Sequence, residues 1–311
     1  MILFLHHWFE ISVSSVSWYG SLSKTFTVSA GVRQDGVLSP LLFASYVDVV
    51  IEKTISLGDG CHVGVHNMSI FMYADDLVLL SPSVCQLQRM INVVAGEIAD
   101  LDMAVNTDKS YCVSFGKRHN NEKICLTLNG TDLVWKKELK YLGILFVASK
   151  KLSIGLKNCK SAFYKSFNAI YSKIFKSNEN LILTLVNTYC IPALYYGLEA
   201  VDLNLSDADS LDQPIMRALG KVFNTYDRSV LHWCMFYFGY MPAQSALALK
   251  KFKFLSKLKF SNNMCVYTLT NICIMQDLDK IVSMFEIDVN DHFHSIKNKL
   301  LFDFGSTLSL S

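Results

Sequence analysis

The sequence predicts an α+β fold, with short antiparallel strands backed by helices up to about residue 148 and mainly helices after Leu152. Two apolar runs of strand length, residues 70–73 and 77–80, enclose the adjacent acids Asp75 and Asp76, as expected for a tight hairpin. Just beyond them, apolar residues recur at steps of three and four, which is typical of an amphipathic helix that covers a sheet. The hairpin and its covering helix are the centre of the predicted sheet region.

The elements before the hairpin are predicted from local composition. We expect a helix and then a turn near residues 18–20, followed by a strand over residues 23–29, where polar and β-favouring residues alternate. The next predicted helix covers residues 41–55. Pro40 suits its first turn, and Ser39 suits its N-terminal cap.

The elements after the hairpin follow from the same patterns. The covering helix lies between residues 81 and 106, and residues 111–115 and 124–128 are predicted strands. The dipeptide Asn129-Gly130 then indicates a two-residue hairpin turn. The apolar positions that define the covering helix are Leu87, Ile91, Val94, Ile98 and Leu101.

Composition limits the classes to which the chain can belong. With 311 residues and 51% hydrophobic content, it can bury a sizeable core. No uninterrupted apolar stretch of about twenty residues occurs, so we expect no membrane-spanning segment. The nine cysteines form no Cys-x-x-Cys pair, which favours reduced thiols and an intracellular location, without distinguishing nucleus from cytoplasm.

The net charge of +2 conceals a segregation of charge along the chain. Residues 1–100 carry four basic and nine acidic side chains, whereas residues 101–177 carry fourteen basic and five acidic ones. No acid lies between Glu138 and Glu179, which predicts a surface for a polyanion, although many helices simply have a solvated lysine face. An apolar helical stripe over residues 156–174 leaves four lysines on the other side: Lys157, Lys165, Lys173 and Lys176.

The acid pair at the hairpin tip has two interpretations. Carboxylates on a rigid hairpin suit Mg²⁺, a hard cation that takes oxygen ligands and shares them with substrate phosphates. Aspartate is also common in turns, so Asp75 and Asp76 equally fit an ordinary acidic turn. These two residues alone leave both interpretations open.

Four short segments occur in an informative order. Residues 31–43 read Gly-Val-Arg-Gln-Asp-Gly-Val-Leu-Ser-Pro-Leu-Leu-Phe, residues 73–76 read Tyr-Ala-Asp-Asp, residues 106–110 read Asn-Thr-Asp-Lys-Ser, and residues 141–143 read Tyr-Leu-Gly. In this order they resemble the boxes of reverse transcriptases from retrotransposons without long terminal repeats (non-LTR) and from group II introns. Each box alone is a weak match, and their common order favours the metal-site interpretation.

The resemblance implies a partial right-hand polymerase. Residues 1–148 would form part of the palm, residues 149–200 a thumb-like basic helical region, and residues 201–311 a helical C-terminal region of unknown role. The last region includes a lysine-rich amphipathic helix at residues 250–259 without an assigned partner. The implied activity is RNA-directed DNA synthesis on an RNA template and a DNA primer, with deoxynucleoside triphosphates as substrates and no membrane partner.

The resemblance also assigns roles in catalysis. Asp75 would bind Mg²⁺, and its neighbour Asp76 would be a supporting ligand or an electrostatic partner. Lys109 would neutralise or protonate the leaving pyrophosphate. In such two-metal catalysis, one ion activates the primer hydroxyl and the other stabilises the leaving group.

Substrate-binding roles follow in the same way. Arg33, Gln34 and Gly36 lie in the box that contacts the incoming nucleotide and the template, while Tyr141, Leu142 and Gly143 match the primer grip. The four lysines beside the apolar stripe would contact the nucleic-acid backbone.

Two departures from the family pattern predict that this polypeptide is inactive alone. The family carries a further metal-binding aspartate, and the fingers, in a segment upstream of the Gly-Val-Arg-Gln box. Here thirty residues precede Gly31, and Glu10 is the one acid among them. Asp35 also stands where the family has glycine and adds a negative charge near the triphosphate. We therefore expect an N-terminally truncated enzyme that requires the missing fingers segment or another chain.

Two other functions remain possible on sequence grounds. In the first, the chain is a non-catalytic module that keeps the palm and thumb to bind RNA or an RNA–DNA duplex. Alternatively, it is a structural α/β protein whose acids only form a turn.

Overall fold

The computed structural model of the protein describes residues 2–28, 31–33, 35–117, 124–175, 178–261, 263, 266, 275–286 and 293–310. The chain divides into two compact units. The first contains residues 1–61 and 69–105, and the second contains residues 62–68 and 106–311. Helices and strands occur in both units, so the α+β class predicted from the sequence is confirmed.

The first unit begins with helix α1 (Ile2–Glu10) and a ribbon of short antiparallel strands. The strands are β1 (Val13–Ser14), β2 (Ser17–Trp18), β3 (Ser21–Leu22) and β4 (Phe26–Thr27). β1 pairs with β4, and β2 pairs with β3 through a turn at Tyr19 and Gly20. Both turn residues have positive φ, 47° and 80°, as a two-residue hairpin of this type requires.

This N-terminal part of the first unit exposes many apolar side chains. A two-stranded ribbon in water is at best marginally stable without a covering layer. The exposed apolar residues here include Leu3, Phe4, Trp18, Tyr19, Leu22 and Phe26. This part of the chain therefore places several large apolar side chains in contact with solvent.

The core of the first unit lies between two helices and a hairpin. Helix α2 spans Ser39–Ser56, and residues 62–68 of the second unit then form a small hairpin of β5 (His62–Val63) and β6 (His66–Asn67). Back in the first unit, β7 (Ile70–Tyr73) pairs with β8 (Asp76–Leu79), and α3 (Val84–Asp100) follows. The buried residues of this core are Val50, Ile70 and Val94, with Leu77, Leu79 and Ile98 packed against them.

Among the described residues of the second unit, the strands form three small sheets besides the β5–β6 hairpin. Their bounds are β9 (Tyr111–Val113), β10 (Thr127–Leu128), β11 (Thr131–Asp132), β12 (Val134–Lys136), β13 (Glu138–Tyr141), β14 (Ile144–Val147) and β15 (Ser153–Ile154). β9 and β12 are parallel, whereas β10–β11 and β13–β14–β15 are antiparallel. The turn between β10 and β11 is Asn129-Gly130, with φ of 52° and 79°.

Beyond β15, the described residues of the second unit are mainly helical. The helices are α4 (Lys157–Ile174), α5 (Glu179–Leu185), α6 (Ile191–Leu194), α7 (Leu205–Asp209), α8 (Asp212–Phe223), α9 (Arg228–Tyr237), α10 (Ala243–Leu258), α11 (Met275–Phe285) and α12 (Phe293–Leu310). Phe163 and Phe167 of α4 are buried in one core with residues from α5 to α10. A second cluster joins α10, α11 and α12 through Phe252, Leu278 and Ile296. No helix within the described ranges is long and apolar enough to cross a membrane.

Most predicted elements are present, but several strands are shorter than predicted. The strand predicted over residues 23–29 is reduced to Phe26–Thr27, and the one predicted over 124–128 is reduced to Thr127–Leu128. The hairpin at Asn129-Gly130 and the helix that covers β7 and β8 are confirmed. Strand ends depend on pairing partners distant in the chain, and composition alone does not reveal them.

The predicted cap of α2 is wrong. Leu38, in a helical conformation, occupies the cap position, and no side chain caps the helix. The hydroxyl of Ser39 instead donates a hydrogen bond to the carbonyl oxygen of Arg33. Pro40 does lie in the first turn, as predicted, because the missing N–H costs nothing there.

The lysine-rich helix at residues 250–259 has partners within the chain. Lys251 contacts the carboxylates of Asp202 and Asp277, and the Lys253 ammonium lies 4.6 Å from the ring centroid of Phe293. Burial lowers the pKa of Lys250, whose ammonium lies 5.5 Å from the ring centroid of Tyr195. This helix therefore uses several of its lysines to hold the second unit together.

Candidate functional site

The hairpin of β7 and β8 places both acids at its tip. Tyr73 pairs with Asp76, so Ala74 and Asp75 form a two-residue turn. Ala74 has a φ of 51° and Asp75 a negative φ, which is the pattern of a type II′ turn and is strained for a residue with a Cβ. Both carboxylates are exposed, so a ligand in solvent can reach them.

The base of this hairpin is held by backbone hydrogen bonds and by a close glycine. The Leu80 N–H donates to the Ser69 carbonyl at 2.7 Å, and the Leu80 carbonyl accepts from the Cys61 N–H at 3.2 Å. A Cβ on Gly60, where φ is 92°, would lie 2.2 Å from the Cβ of Ser69. The loop before β5 can therefore approach the hairpin this closely only with glycine at position 60.

An ion pair ties the same loop to α3. The guanidinium of Arg89 makes two hydrogen bonds of 2.7 Å to the carboxylate of Asp59, which is nearly buried. These bonds hold the pKa of the Asp59 carboxyl below its usual value. The hairpin with the two acids is thus held by its apolar core and by a loop that is itself fixed to α3.

The acid pair fits a metal ion only in part. Asp75 and Asp76 supply carboxylate oxygens, which are the ligands that Mg²⁺ prefers. In the described part of the chain, no group of three or more His, Cys, Asp or Glu side chains is arranged to hold a metal ion. The two acids therefore suit an ion that completes its shell with water and substrate phosphate.

Arg33 and Gly36 belong to a tight turn before α2, and Gln34 lies outside the described residues. The Gly36 N–H donates to the Arg33 carbonyl at 3.2 Å, and Asp35 between them has a φ of 59°. A Cβ on Gly36 would lie 2.5 Å from the hydroxyl oxygen of Ser39. Glycine would fit position 35 without strain, and aspartate tolerates this left-handed conformation better than most residues. Aspartate in place of glycine at position 35 is therefore compatible with the turn, and it adds an exposed negative charge.

Lys109 is presented by a short capped turn. The Asn106 side chain accepts a hydrogen bond from the Lys109 N–H at 3.1 Å, and the Ser110 hydroxyl donates to the Asn106 carbonyl at 2.7 Å. Asn106 and Ser110 thus fix the backbone, and the Lys109 side chain is exposed. This arrangement gives a structural reason for the spacing of Asn, Lys and Ser in the segment.

Tyr141, Leu142 and Gly143 form the tip of the β13–β14 hairpin. Tyr141 pairs with Ile144, and Leu142 and Gly143 have φ of 46° and 85°, as in a type I′ turn. A Cβ on Gly143 would lie 3.0 Å from the ring of Tyr196. The turn therefore packs against the segment after α6, which fixes the position of its backbone.

Helix α4 confirms the predicted division between an apolar stripe and a lysine face. Phe163 and Phe167 are buried, and Lys157, Lys165 and Lys173 are exposed. Lys176 lies outside the described residues. An open concavity of about 610 Å³ on this face is lined by Lys157, Lys160, Ser161, Tyr164, Lys165 and Asn168. The face offers several ammonium groups to an anion without an acid on the same helix.

Comparison with known protein families identifies the family that these segments match. Residues 3–146 match the family model described as reverse transcriptase (RNA-dependent DNA polymerase). These residues are a reverse transcriptase domain. The matched range contains the Arg33 turn, the Asp75–Asp76 hairpin, the Lys109 turn and the Tyr141–Gly143 turn.

The relatives of this reverse transcriptase domain are proteins of mobile elements. The chain is 26% identical over 205 residues to the Retrovirus-related Pol polyprotein from type-2 retrotransposable element R2DM of Drosophila melanogaster, with 63% of this chain and 19% of the relative covered. It is 26% identical over 208 residues to the Pol polyprotein from type-1 retrotransposable element R2 of Popillia japonica, with 62% and 28% covered. It is 26% identical over 196 residues to the RNA-directed DNA polymerase from mobile element jockey of Drosophila melanogaster, with 59% and 20% covered. The chain thus spans between 19% and 28% of the length of these relatives, and its domain is of the non-LTR retrotransposon type.

The predicted site residues of the reverse transcriptase domain fall into two groups. Arg33, Gly36, Asp75 and Asp76 belong to the first compact unit. Lys109, the turn at residues 141–143 and the lysines of α4 belong to the second. The structure gives the positions of these residues within each unit but not their ligands. Their functional roles therefore remain predictions.

Two sets of residues near these groups were not predicted from the sequence. Arg89 and Asp59, thirty positions apart, support the acid hairpin. Arg217 and Lys221 of α8 lie beside the lysine face of α4, where the Arg217 guanidinium donates to the Tyr164 hydroxyl at 3.4 Å. The spacing of Arg217 and Lys221, four residues apart on a helix, is the one sequence signal that indicates a shared face.

Proposed function

We propose that the chain is the palm and thumb part of a non-LTR reverse transcriptase, with RNA-directed DNA polymerase chemistry by descent. The observation that carries this proposal is the hairpin in the matched domain whose tip exposes Asp75 and Asp76. Its relatives named RNA-directed DNA polymerase support the same chemistry. Palm and thumb are our interpretation of residues 1–148 and of the basic helices that begin at α4.

The residues of the chain would divide the reaction among them. Asp75 and Asp76 would hold Mg²⁺, which supplies Lewis-acid stabilisation of charge on phosphate oxygens when it is bound. Arg33 and its turn would orient the triphosphate and the template. Lys109 would neutralise the leaving pyrophosphate, and residues 141–143 would position the primer end.

We further propose that a polypeptide of these 311 residues does not polymerise DNA alone. Two-metal chemistry would require a carboxylate shared by both ions in addition to Asp75 and Asp76, which would be two of the ligands. Loss of one member of such a set is usually crippling. No described group of three metal-binding side chains compensates for it. The exposed apolar surface of residues 2–28 supports a covering partner, either a fingers segment or another chain.

A primer-extension assay tests this proposal. The chain, an RNA template, a DNA primer and labelled deoxynucleotides would be incubated with Mg²⁺, beside an Asp75→Asn variant and a blank. We expect incorporation at the level of the blank in both proteins. Incorporation that is above the blank and is lost in Asp75→Asn would overturn the proposed inactivity and would support the catalytic assignment of the hairpin.

Metal binding by the acid pair can be measured without turnover. Mn²⁺ would broaden nuclear magnetic resonance signals of residues near its site, and Mg²⁺ would compete for it. We expect broadening centred on residues 73–77 that Asp75→Asn and Asp76→Asn abolish. Broadening that is unchanged in both variants would contradict the assignment of these acids.

A second candidate function is a non-catalytic module that binds RNA or an RNA–DNA duplex. The exposed Lys157, Lys165 and Lys173 on α4 favour it, because phosphate contacts do not require an intact catalytic centre. A filter-binding assay across about 50 to about 200 mM salt tests it, since affinity carried by phosphate contacts falls steeply over that range. Absent or salt-independent binding would remove both the module and the thumb assignment.

A further inference from the structure

The basic face of α4 continues onto a second helix. The Lys160 ammonium donates to the Ser210 hydroxyl at 2.8 Å, just before α8 begins. The Arg217 guanidinium donates to the Tyr164 hydroxyl at 3.4 Å, and the Lys221 ammonium lies 5.8 Å from the ring centroid of Phe167. Arg217 and Lys221 are both exposed, so the cations of α8 stand beside those of α4 on one surface of the second unit.

These contacts show that the two helices run in the same direction. Residues 160, 164 and 171 of α4 contact residues 210, 217 and 221 in the same ascending order. Lys157 and Lys165 are about 12 Å apart along α4, and Arg217 and Lys221 are about 6 Å apart along α8, at 1.5 Å per residue. The surface therefore carries two parallel rows of cations.

The cations of this surface are available to an outside anion. Among the described residues, no ion pair joins Lys157, Lys165, Lys173, Arg217 or Lys221 to an acid of the chain. The exposed acid Asp209 stands next to Ser210, at the Lys160 end of the surface. Favourable potential for an anion is thus greatest toward Lys165 and Lys221.

The aromatic residues of the surface are engaged within the protein. The Tyr171 hydroxyl donates to the Lys221 carbonyl at 3.1 Å, and the Tyr171 ring stacks on Phe167. The Tyr164 hydroxyl accepts from Arg217, and its ring packs edge-on against Phe163. Recognition of unpaired bases depends on free aromatic faces, whereas recognition of a backbone depends on cations. The exposed cations and engaged aromatic rings of this surface therefore suit a nucleic-acid backbone and not unpaired bases.

We propose that Arg217 and Lys221 form a second row of phosphate contacts, which binds a nucleic-acid backbone together with the lysines of α4. This inference rests on the proposed function, in which α4 contacts nucleic acid, and it extends that contact to a helix about fifty residues farther along the chain. The observation that supports it is that the Arg217 and Lys221 side chains lie next to residues 164 and 167 of α4.

The test compares two double variants of the full chain that remove the same charge. Arg217→Ala with Lys221→Ala removes the proposed row, and Arg228→Ala with Lys257→Ala removes one exposed arginine from α9 and one exposed lysine from α10. Binding to a blunt RNA–DNA duplex would be measured from about 50 to about 200 mM salt. The slope of log affinity against log salt reports the number of phosphate contacts.

We expect the first double variant to reduce the slope by about two and to weaken binding about tenfold at intermediate salt. The control variant should change affinity by less than about twofold, because uniform loss of net charge has a small effect at these ionic strengths. A charge-preserving exchange, Arg217→Lys with Lys221→Arg, should retain the slope. Circular dichroism and thermal unfolding of each variant would confirm that the fold is intact.

Two outcomes would overturn the inference in distinguishable ways. If the unaltered chain binds with a steep salt dependence and both double variants behave alike, the second row is wrong and the α4 surface stands. If the unaltered chain shows no salt-dependent binding at all, the proposed nucleic-acid contact of α4 fails, and the row on α8 fails with it.

Discussion

The hairpin that carries Asp75 and the helix that carries Lys157 rest on cores of very different size. Beside the hairpin, the buried cluster consists of Val50, Ile70 and Val94 with a few partly buried neighbours. In the second unit, α4 contributes to a continuous core that extends through the helices up to α10. The acid hairpin belongs to the part of the chain with little apolar packing, and the basic face belongs to the part with much.

This difference shows two ways to fix a functional surface. The hairpin depends on polar contacts in addition to its small core, above all the Asp59–Arg89 ion pair and the hydrogen bonds at its base. The lysine face needs no polar scaffold, because the buried stripe on the other side of α4 sets its direction. We therefore expect polar substitutions to disturb the hairpin and apolar truncations to disturb the basic face.

The largest expected effect is from Phe163→Ala. Phe163 is 0% exposed in the large core, so its truncation should lower the free energy of unfolding by about 3–5 kcal/mol. Urea unfolding followed by circular dichroism would measure it. Phe260→Ala is the matched control, since Phe260 is 82% exposed and its loss should have little effect. Equal effects of the two changes would contradict the burial of Phe163 in the large core.

The next effect concerns pH. Burial raises the pKa of Asp212 to about 6, against a partly opposing hydrogen bond from the Ala243 N–H at 2.8 Å. The folded state thus holds this proton more tightly than the unfolded state, so stability should fall by roughly 2–3 kcal/mol as pH rises from about 4 to about 6. Above that range the loss is complete.

Asp212→Asn isolates this contribution. The amide oxygen can still accept the Ala243 N–H, and the amide does not ionise, so the fall in stability over this pH range should disappear. The variant should then be more stable than the unaltered chain at pH 7 in urea unfolding. Asp303→Asn, on the exposed side of α12, serves as the control. An unchanged pH profile in Asp212→Asn would show that another group causes it.

A smaller, local effect is expected from Arg89→Met. The change leaves the Asp59 carboxylate without its guanidinium partner, which should loosen the loop that holds the acid hairpin. Hydrogen exchange at the Leu80 and Cys61 amides should accelerate. Exchange at buried amides of α4 in the second unit should not change. Acceleration confined to α3 would contradict the proposed support of the hairpin.

The pH dependence of this variant has a defined sign. The folded-state pKa of Asp59 is lowered, so its contribution to stability is present above about pH 4 and is lost as pH falls below that value. The difference in stability between Arg89→Met and the unaltered chain should therefore shrink in acid.

The smallest expected effect is from Ala74→Gly. Ala74 has a φ of 51°, and glycine removes the strain while it adds unfolded-state entropy, so the net gain should be less than about 1 kcal/mol. Ala99→Gly, on the exposed side of α3, should instead cost about 1 kcal/mol, because glycine is a poor helix former. The free energy of unfolding, measured in urea, should therefore rise in Ala74→Gly and fall in Ala99→Gly. These opposite changes test the strain in the turn.

Local features were predictable from the sequence, and the contacts between distant segments were not. The Asn129-Gly130 turn and the stripe of α4 follow from chemistry within a few residues, and both are present. The cap of α2 was predicted wrongly because the Ser39 hydroxyl bonds to a carbonyl six residues earlier, in a turn that composition does not reveal. Arg217 was missed because its neighbour Tyr164 is fifty-three positions away.

The sequence by itself determined the order of the four segments, the acid pair between two apolar runs, and the lysines opposite an apolar stripe. These depend on side-chain identity and on periods of two or 3.6 residues, which are local properties of the chain. Only the tertiary structure decided that α3 supports the acid hairpin through Arg89 and that α8 extends the basic face with Arg217 and Lys221. The reason is that buried apolar contacts between distant segments set how the helices pack. Charged side chains on the outer faces become neighbours because of that packing.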